Sequence, residues 1–468
     1  MKIIITIIAS MLFSTLFYDQ HIGLNLTVFS LVTLVALGIS NPSKLRMKET
    51  LIVMGLYLLT AILVFFNHSL LSIIANCAVF FTLVGSFSEA TSSVYVKWLN
   101  GIYSSIAGTF HRNFEDKSEN KKPWNEDVDV LHLIKIIVIP LVVVILFVLL
   151  YKDGNPFFEE KVAAINFDFI NFQWILFCLL GYYLFSNIIV PVKVQPATDS
   201  DLATENQLKP LEPLNEDNLK KEKQLGTVVL ALLNTLIVLY IISDIAFLLS
   251  NTNFAASVLS NQVHNGINAL IASIIFAIII ILYFFRGNLN FFDENKTLKN
   301  LSYLWIFLNA FLVLLIIVKN AQYIDAFGLT YKRIGVYVYL FMTFIGLTTT
   351  FLKVYQIKNL WFLFRKNVSV AFMLLVLCSV VDWDAFITNY NIKNADSLDV
   401  NYLIELSNNN AFILHQKKDR MVLKSNQGAR IDLKYSNYVS VLEQSNWQEL
   451  SYDNFKLKTD IKSYEDTK

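Results

Sequence analysis

YIDAFGLTYKR, Tyr323–Arg333, gathers an acid, two bases, a glycine and several hydroxyls into one turn-sized segment between long apolar runs. Two membrane-crossing helices need such a joint where one ends and the next begins, and the runs Leu301–Val318 and Ile334–Val354 frame it. Gly328 can break the first helix and Thr330 can cap the second, so Asp325 and Arg333 can meet across the turn as an ion pair. A direct ligand role for these residues is a second reading, and two loop charges at headgroup level is the plainest.

Working outward, runs of about the length needed to cross a ~30 Å hydrocarbon core recur along the chain. They fall at Lys2–Phe17, Leu24–Ile39, Leu51–Phe66, Leu70–Phe87, Val130–Tyr151 and Phe172–Val190, then at Gly226–Ser250, Ile267–Phe285, Leu301–Val318, Ile334–Val354 and Val368–Phe386. The expectation is an all-α integral membrane protein of about eleven spans with a small α or α+β C-terminal tail outside the membrane. Lys2–Phe17 reads as a retained span, because no small-residue cleavage pattern precedes Asp19.

Composition agrees. Of 468 residues, 55% are hydrophobic and 16% charged, and the mean hydropathy is +0.50. A net charge of +1 without a basic stripe argues against nucleic acid as a partner. Cys77, Cys178 and Cys378 all sit in apolar runs, with no C-x-x-C spacing, so neither a disulfide framework nor a thiolate metal site is expected. No P-loop, dinucleotide fingerprint or zinc motif occurs, and no cofactor is implied.

Lysine and arginine placement orients the spans. Lys44, Arg46 and Lys48, then Arg112, Lys117, Lys121 and Lys122, then Lys220, Lys221 and Lys223 fall on one side, as do Arg286, Lys296, Lys299, Lys358, Arg365 and Lys366. The alternate loops are poor in basic residues, Lys332 and Arg333 excepted. This predicts an inner-membrane protein with a cytoplasmic N-terminus and an extracytoplasmic C-terminus, the lipid bilayer being its first partner.

Four segments follow. Residues 1–190 form a bundle of about six spans, with a cytoplasmic interfacial helix and loop near 91–128, where Tyr95, Trp98, Ile102 and Ile106 recur at helical spacing. Residues 191–225 hold four of the eight prolines among acids that include Asp201, and read as a disordered cytoplasmic linker. Residues 226–388 form a second bundle of about five spans. Residues 389–468 form the tail, in which Asp399 can cap an amphipathic helix over Asp399–Ser407. Met421–Leu423 and Ala429–Leu433 alternate like strands about a Gln427–Gly428 turn.

Polar residues inside the spans are the other candidates. Asp244 reads as a proton or ion site of a secondary transporter, or as an acid snorkelling to the nearer interface; Asn234 and Asn309 are the remaining mid-span polar groups. His264, thirty residues beyond Asn234, has the residue types of a membrane-bound acyl-transfer enzyme with a histidine base, against a helix-start histidine as the plain alternative. His111–Asp116 matches an H-x-x-x-x-D acyltransferase spacing without a partner phosphate-binding block. Asp382 and Asp384 point to different helix faces and read as a solvated rim.

Tyr323, Ala326, Gly328-Leu329-Thr330 and Arg333 resemble the Y-x-x-A-[YF]-G-L-T-x-x-R signature of an uncharacterised bacterial polytopic membrane family, labelled domain of unknown function 4173. His264–Phe291 resembles that family's central span ending in Phe-Arg-Gly. Ala385–Ser407 resembles its post-membrane segment at Ile387, Asn391, Asp399, Tyr402, Leu403, Leu406 and Ser407. Asn394 stands where that pattern has arginine, and Asn410-Ala411-Phe412 lacks its proline. The resemblance covers the second half of the chain and implies a multi-pass membrane protein without an established activity. The residues favour a regulatory, sensory or scaffold component, with membrane or periplasmic proteins as partners of the tail, ahead of transport through Asp244 or acyl transfer through His264.

Overall fold

The computed structural model describes residues 2–118, most of 139–163, 171–210, 216–249, 256–395, 398–424 and 426–465. Among the described residues there is no strand, and one isolated bridge pairs Gln207 with Lys358. The chain divides into two compact units: Met1–Leu58, Val79–Ala90 and Lys97–Gln195 in the first, and Leu59–Ala78, Thr91–Val96 and Pro196–Lys468 in the second.

The first unit holds α1 (Lys2–Phe17), α2 (Leu24–Ser40), parts of α3 (Lys48–Asn67), α4 (Leu70–Ser88) and α5 (Val94–Ser118), α6 (Pro156–Ala163) and α7 (Phe172–Ile188). Small residues let α1 and α7 approach closely: the Ser14 hydroxyl donates to the Trp174 carbonyl at 2.7 Å, and a Cβ on Gly181 would lie 2.9 Å from the Phe13 ring. Tyr18 reaches Gln173 at the other end of the same contact, so the two helices run antiparallel. On α5 the polar face packs inward. Lys97, Asn100, Ser104 and Ser105 are buried while Leu99, Ile102 and Ile106 are exposed, an arrangement suited to apolar surroundings. The C-terminal carbonyls of α7 are satisfied by neighbours: Arg112 donates to Ser186 and Val190, and Asn41 to Ile189.

The second unit contains the rest of α3 and α4, then α8 (Gln195–Ala203), α9 (Glu216–Leu249), α10 (Ala256–Phe284), α11 (Lys296–Phe327), α12 (Tyr331–Tyr355) and α13 (Leu360–Ser379). A tail of α14 (Trp383–Asn394), α15 (Val400–Glu405), α16 (Ala411–Gln416), α17 (Gln427–Gln444) and α18 (Tyr452–Glu465) follows. Leu230, Ile237, Ile274, Ile281, Leu312, Ile316, Leu340 and Leu347 form the core shared by α9–α12. The opposite faces stay apolar but uncovered, with Leu232, Leu236 and Leu239 on α9 each more than 60% exposed. Helices that turn leucine outward along their length belong in lipid.

Six helices are long and apolar enough to cross a membrane, and Lys2–Phe17, Leu24–Ser40, Phe172–Ile188 and Asn268–Phe284 are shorter apolar helices among the described residues. The run expected at Val130–Tyr151 falls largely outside the described residues. The protein is therefore a helical membrane protein, with six long apolar helices among the described residues.

Two expectations are corrected. The 191–225 stretch, expected to be disordered, contains α8, and Asp201 within it is buried. Its carboxylate accepts from the Ser93 amide and hydroxyl, the Tyr95 hydroxyl and the Arg365 guanidinium, while Asn359 bonds the Glu205 and Asn206 carbonyls. Charge complementarity from distant residues orders a segment too polar to fold by apolar burial. The expected strand at Ala429–Leu433 lies inside α17, whose buried positions Gln427, Ile431, Tyr438 and Leu442 are spaced 4, 7 and 4 apart on one helical face. The alternation in a five-residue window was part of this longer period.

Candidate functional site

The candidate site is the turn between α11 and α12, with the tail segments that close over it. Gly328 ends α11 with φ 77° and ψ 177°, a region open in practice to glycine alone. Thr330 caps α12 by accepting from the Arg333 amide at 3.4 Å. Asn391 of α14 then treats the Leu329 peptide as a strand partner would, accepting from its N–H and donating to its carbonyl at 2.8 Å. Neither group of that buried peptide is left unpaired.

Arg333 does not pair with Asp325. Asp325 is exposed, whereas Arg333 is 9% exposed and turns back over its own turn. Its Nη1 donates to the Phe327 carbonyl at 2.8 Å and to the Gly328 carbonyl, and its guanidinium carbon stands 4.1 Å from the centre of the Tyr323 ring. The carbonyls freed by the helix break are nearer than Asp325 and capture the guanidinium first. Asn320 donates to the Arg333 carbonyl at 3.1 Å, tying α11 to α12 below the turn.

The tail completes the enclosure. The Tyr331 amide donates to the Tyr402 hydroxyl at 2.9 Å, and the Tyr331 hydroxyl donates to Asp384 at 2.7 Å. Asp384 also accepts from the Ser407 hydroxyl and is 4% exposed, so it is an interior anchor and not the solvated rim expected. Asp382 is the N-cap of α14. Asp399 caps α15 as expected, accepting from the Tyr402 amide at 3.1 Å. Between these elements lies a cavity of about 410 Å³ lined by Phe327, Thr330, Arg333, Asn391, Ala395, Leu398, Asp399 and Tyr402. Burial raises the Tyr402 phenol above its ordinary range, so it stays protonated at neutral pH. Nearby, burial pushes the Lys434 ammonium down to about 8 while it donates to the Ile404 and Leu406 carbonyls.

The other candidates lie apart from this cavity. Asp244 is 7% exposed and forms an ion pair with Lys319 of α11, with Tyr240 at 3.4 Å. Its second oxygen, Oδ2, is buried and has no hydrogen-bond partner among the described residues. Asn234 bonds the Leu230 and Leu301 carbonyls at 2.8 and 3.0 Å, joining α9 to α11. Asn309 bonds the Trp305 carbonyl of its own helix. His264 falls on α10, and its side chain lies outside the described residues. His111 faces Tyr103 at 3.1 Å, and the Asp116 side chain also lies outside them. Among the described residues no group of three or more His, Cys, Asp or Glu side chains comes together to hold a metal.

Residues 4–416 match the family described as Domain of unknown function (DUF4153). The chain belongs to that family. The match corrects the resemblance drawn from the Tyr323–Arg333 signature, which named domain of unknown function 4173 and covered only the second half. No curated protein and no solved structure matches the chain. Membership in this family, with several long apolar helices, makes this a membrane protein of unassigned activity.

Sequence reasoning missed Lys319 and the Asp201–Arg365 clasp, and it gave Asn391 and Asp384 no part in the joint. Lys319 was within reach: Asp244 and Lys319 each lie near the C-terminal end of a long apolar helix. Helices two apart in an up-and-down order run the same way, which sets these residues at one depth. Asn391, 62 residues from Leu329, carried no comparable signal.

Proposed function

We propose that the chain is a regulatory or sensory component of the inner membrane, with the tail as its responding element. The observation that supports this is the composition of the cavity wall. Phe327, Thr330 and Arg333 come from the span ends, and Asn391, Ala395, Leu398, Asp399 and Tyr402 from the tail. Whatever fills the cavity touches both, and differential contact is what shifts a conformational equilibrium. Asn67, at the end of α3, also donates to the Ser379 and Val380 carbonyls and accepts from Asn409, so the tail is held by two separate span ends.

The proposed topology keeps about eleven spans, the shorter apolar helices included. The end of the bundle carrying Arg286, Lys296, Lys358 and Arg365 faces the cytoplasm, with the joint and tail outside. Membrane or periplasmic proteins are the proposed partners of the tail. Transport through Asp244 has less support, because Lys319 already meets its charge.

Complementation of a deletion strain tests the reading. Asp244→Asn and His264→Ala should complement fully, whereas Tyr402→Phe, accumulating normally, should not; Tyr402→Phe removes one hydroxyl, which accepts from the Tyr331 amide and lines the cavity. The opposite pattern would move the function into the spans.

A further inference from the structure

We infer that the joint cavity is a binding site for a phosphate-type oxyanion on a headgroup-sized ligand. The inference deepens the sensory reading and rests on it only for its consequence, not for the binding itself. Arg333 carries it. A guanidinium 9% exposed ordinarily faces a carboxylate, because an isolated buried charge is costly. Among the described residues no carboxylate lies within ion-pair distance of Arg333, and the hydrogen bonds it makes there are the two from Nη1 to carbonyl oxygens. Nε and Nη2 form the free edge of the fork. Two parallel donors on one edge match two oxygens of a phosphate or carboxylate.

The edge is also fixed in place. Nη1 is held by two carbonyls and the plane lies against Tyr323, so little side-chain freedom remains to be lost on binding. Two further features act in the same direction. Thr330 lines the cavity as the N-cap of α12, a helix of 25 residues whose N-terminus carries partial positive charge. Tyr402, also in the wall, accepts from the Tyr331 amide, which leaves its own hydroxyl proton for another acceptor.

Asp399 sets the limit. It lines the same cavity and is exposed, and its Oδ1 accepts the cap bond from the Tyr402 amide. A negative group at the rim disfavours a dianion and favours one negative charge beside a positive one. That is the chemistry of a zwitterionic phosphodiester, found in an ethanolamine-type lipid headgroup or in a free small phosphodiester. About 410 Å³ accommodates such a group.

The experiment uses the full chain in detergent and follows its thermal midpoint against three probes: inorganic phosphate, glycerophosphoethanolamine and a short-chain phosphatidylethanolamine in mixed micelles. A ligand that binds only the folded chain raises the midpoint with concentration. The phosphodiesters should stabilise the wild type more than inorganic phosphate does at pH 7.5. Arg333→Lys, which keeps the charge and loses the fork, should weaken the phosphodiesters about fivefold. Asp399→Asn keeps an equally good cap, and should tighten inorganic phosphate about threefold by removing the rim charge. Stabilisation by the soluble phosphodiester alone assigns a soluble ligand, and a requirement for the acyl chains assigns the lipid. No stabilisation by any probe, or equal stabilisation of wild type and both variants, overturns the site. Hydrogen exchange of α15 separates this from the sensory reading: binding without a change there keeps the site and removes the sensor.

Discussion

At Gly328 the backbone sits at φ 77° and ψ 177°, and an added Cβ would lie 2.8 Å from Asn391 Oδ1. Two independent constraints meet at one residue, one torsional and one steric. Gly328→Ala is expected to cost about 1–3 kcal/mol, the scale of a backbone forced into a glycine-only region. Asp325→Asn, at an exposed position three residues earlier, should change stability by no more than about 0.5 kcal/mol. Unfolding midpoints of the two variants in one detergent check this, and equal losses would mean that Asp325 has a partner after all. The contrast also marks what was legible. Gly328 as a break, with Thr330 and Asp399 as caps, could be read from sequence because each acts within four residues of itself. The fate of Arg333 could not. Choosing between Asp325 and the carbonyls of Phe327 and Gly328 requires knowing which way the turn folds, and that is decided by Asn391, far along the chain.

Helix α8 shows the same limit at the level of elements. Its sequence, QPATDSDLA, has almost no apolar face, and composition alone marks it as linker. Asp201 orders it instead, and this has a consequence for pH. Burial raises the Asp201 carboxyl, but hydrogen bonds from Ser93 and Tyr95 and the charge of Arg365 outweigh it and hold the group below the ordinary carboxylate range. A carboxyl whose pKa falls on folding stabilises the fold above its unfolded value, about 3.9, and loses that contribution as pH drops through the folded value. The thermal midpoint of wild type should therefore exceed that of Asp201→Asn by a constant margin from about pH 7 to 5. The margin should shrink below about pH 4. A margin that persists undiminished to about pH 3 would show that the clasp does not depend on the carboxylate charge. Helix α17 was illegible for another reason. Its period was present, but emerges only when all of Gln427–Gln444 is taken together.

For the whole molecule, class was legible and count was not. Apolar residues outward and Asn, Ser, Thr and Lys inward is the reverse of a water-soluble helix bundle, and hydropathy carries that signal directly. Hydropathy does not separate a span of 16 or 17 residues, such as α1, α2 or α7, from a buried or tilted helix of the same length, because the thickness crossed depends on tilt and neighbours. Orientation is open to a direct measurement that does not depend on the count. Val422 in the tail is 97% exposed, and Asp217 at the start of α9 is exposed as well. Basic residues cluster on the Asp217 side: Lys220, Lys221 and Lys223 follow it within two turns of the same helix. With Cys77, Cys178 and Cys378 replaced by serine, a cysteine at Val422 should react with a membrane-impermeant maleimide in intact spheroplasts. A cysteine at Asp217 should react only after permeabilisation. Labelling of both before permeabilisation would place α9 and the tail on one side and require an even number of crossings between them. The reverse pattern would put the joint cavity in the cytoplasm, where a soluble phosphodiester is a better match to Arg333 than the headgroups of the outer leaflet.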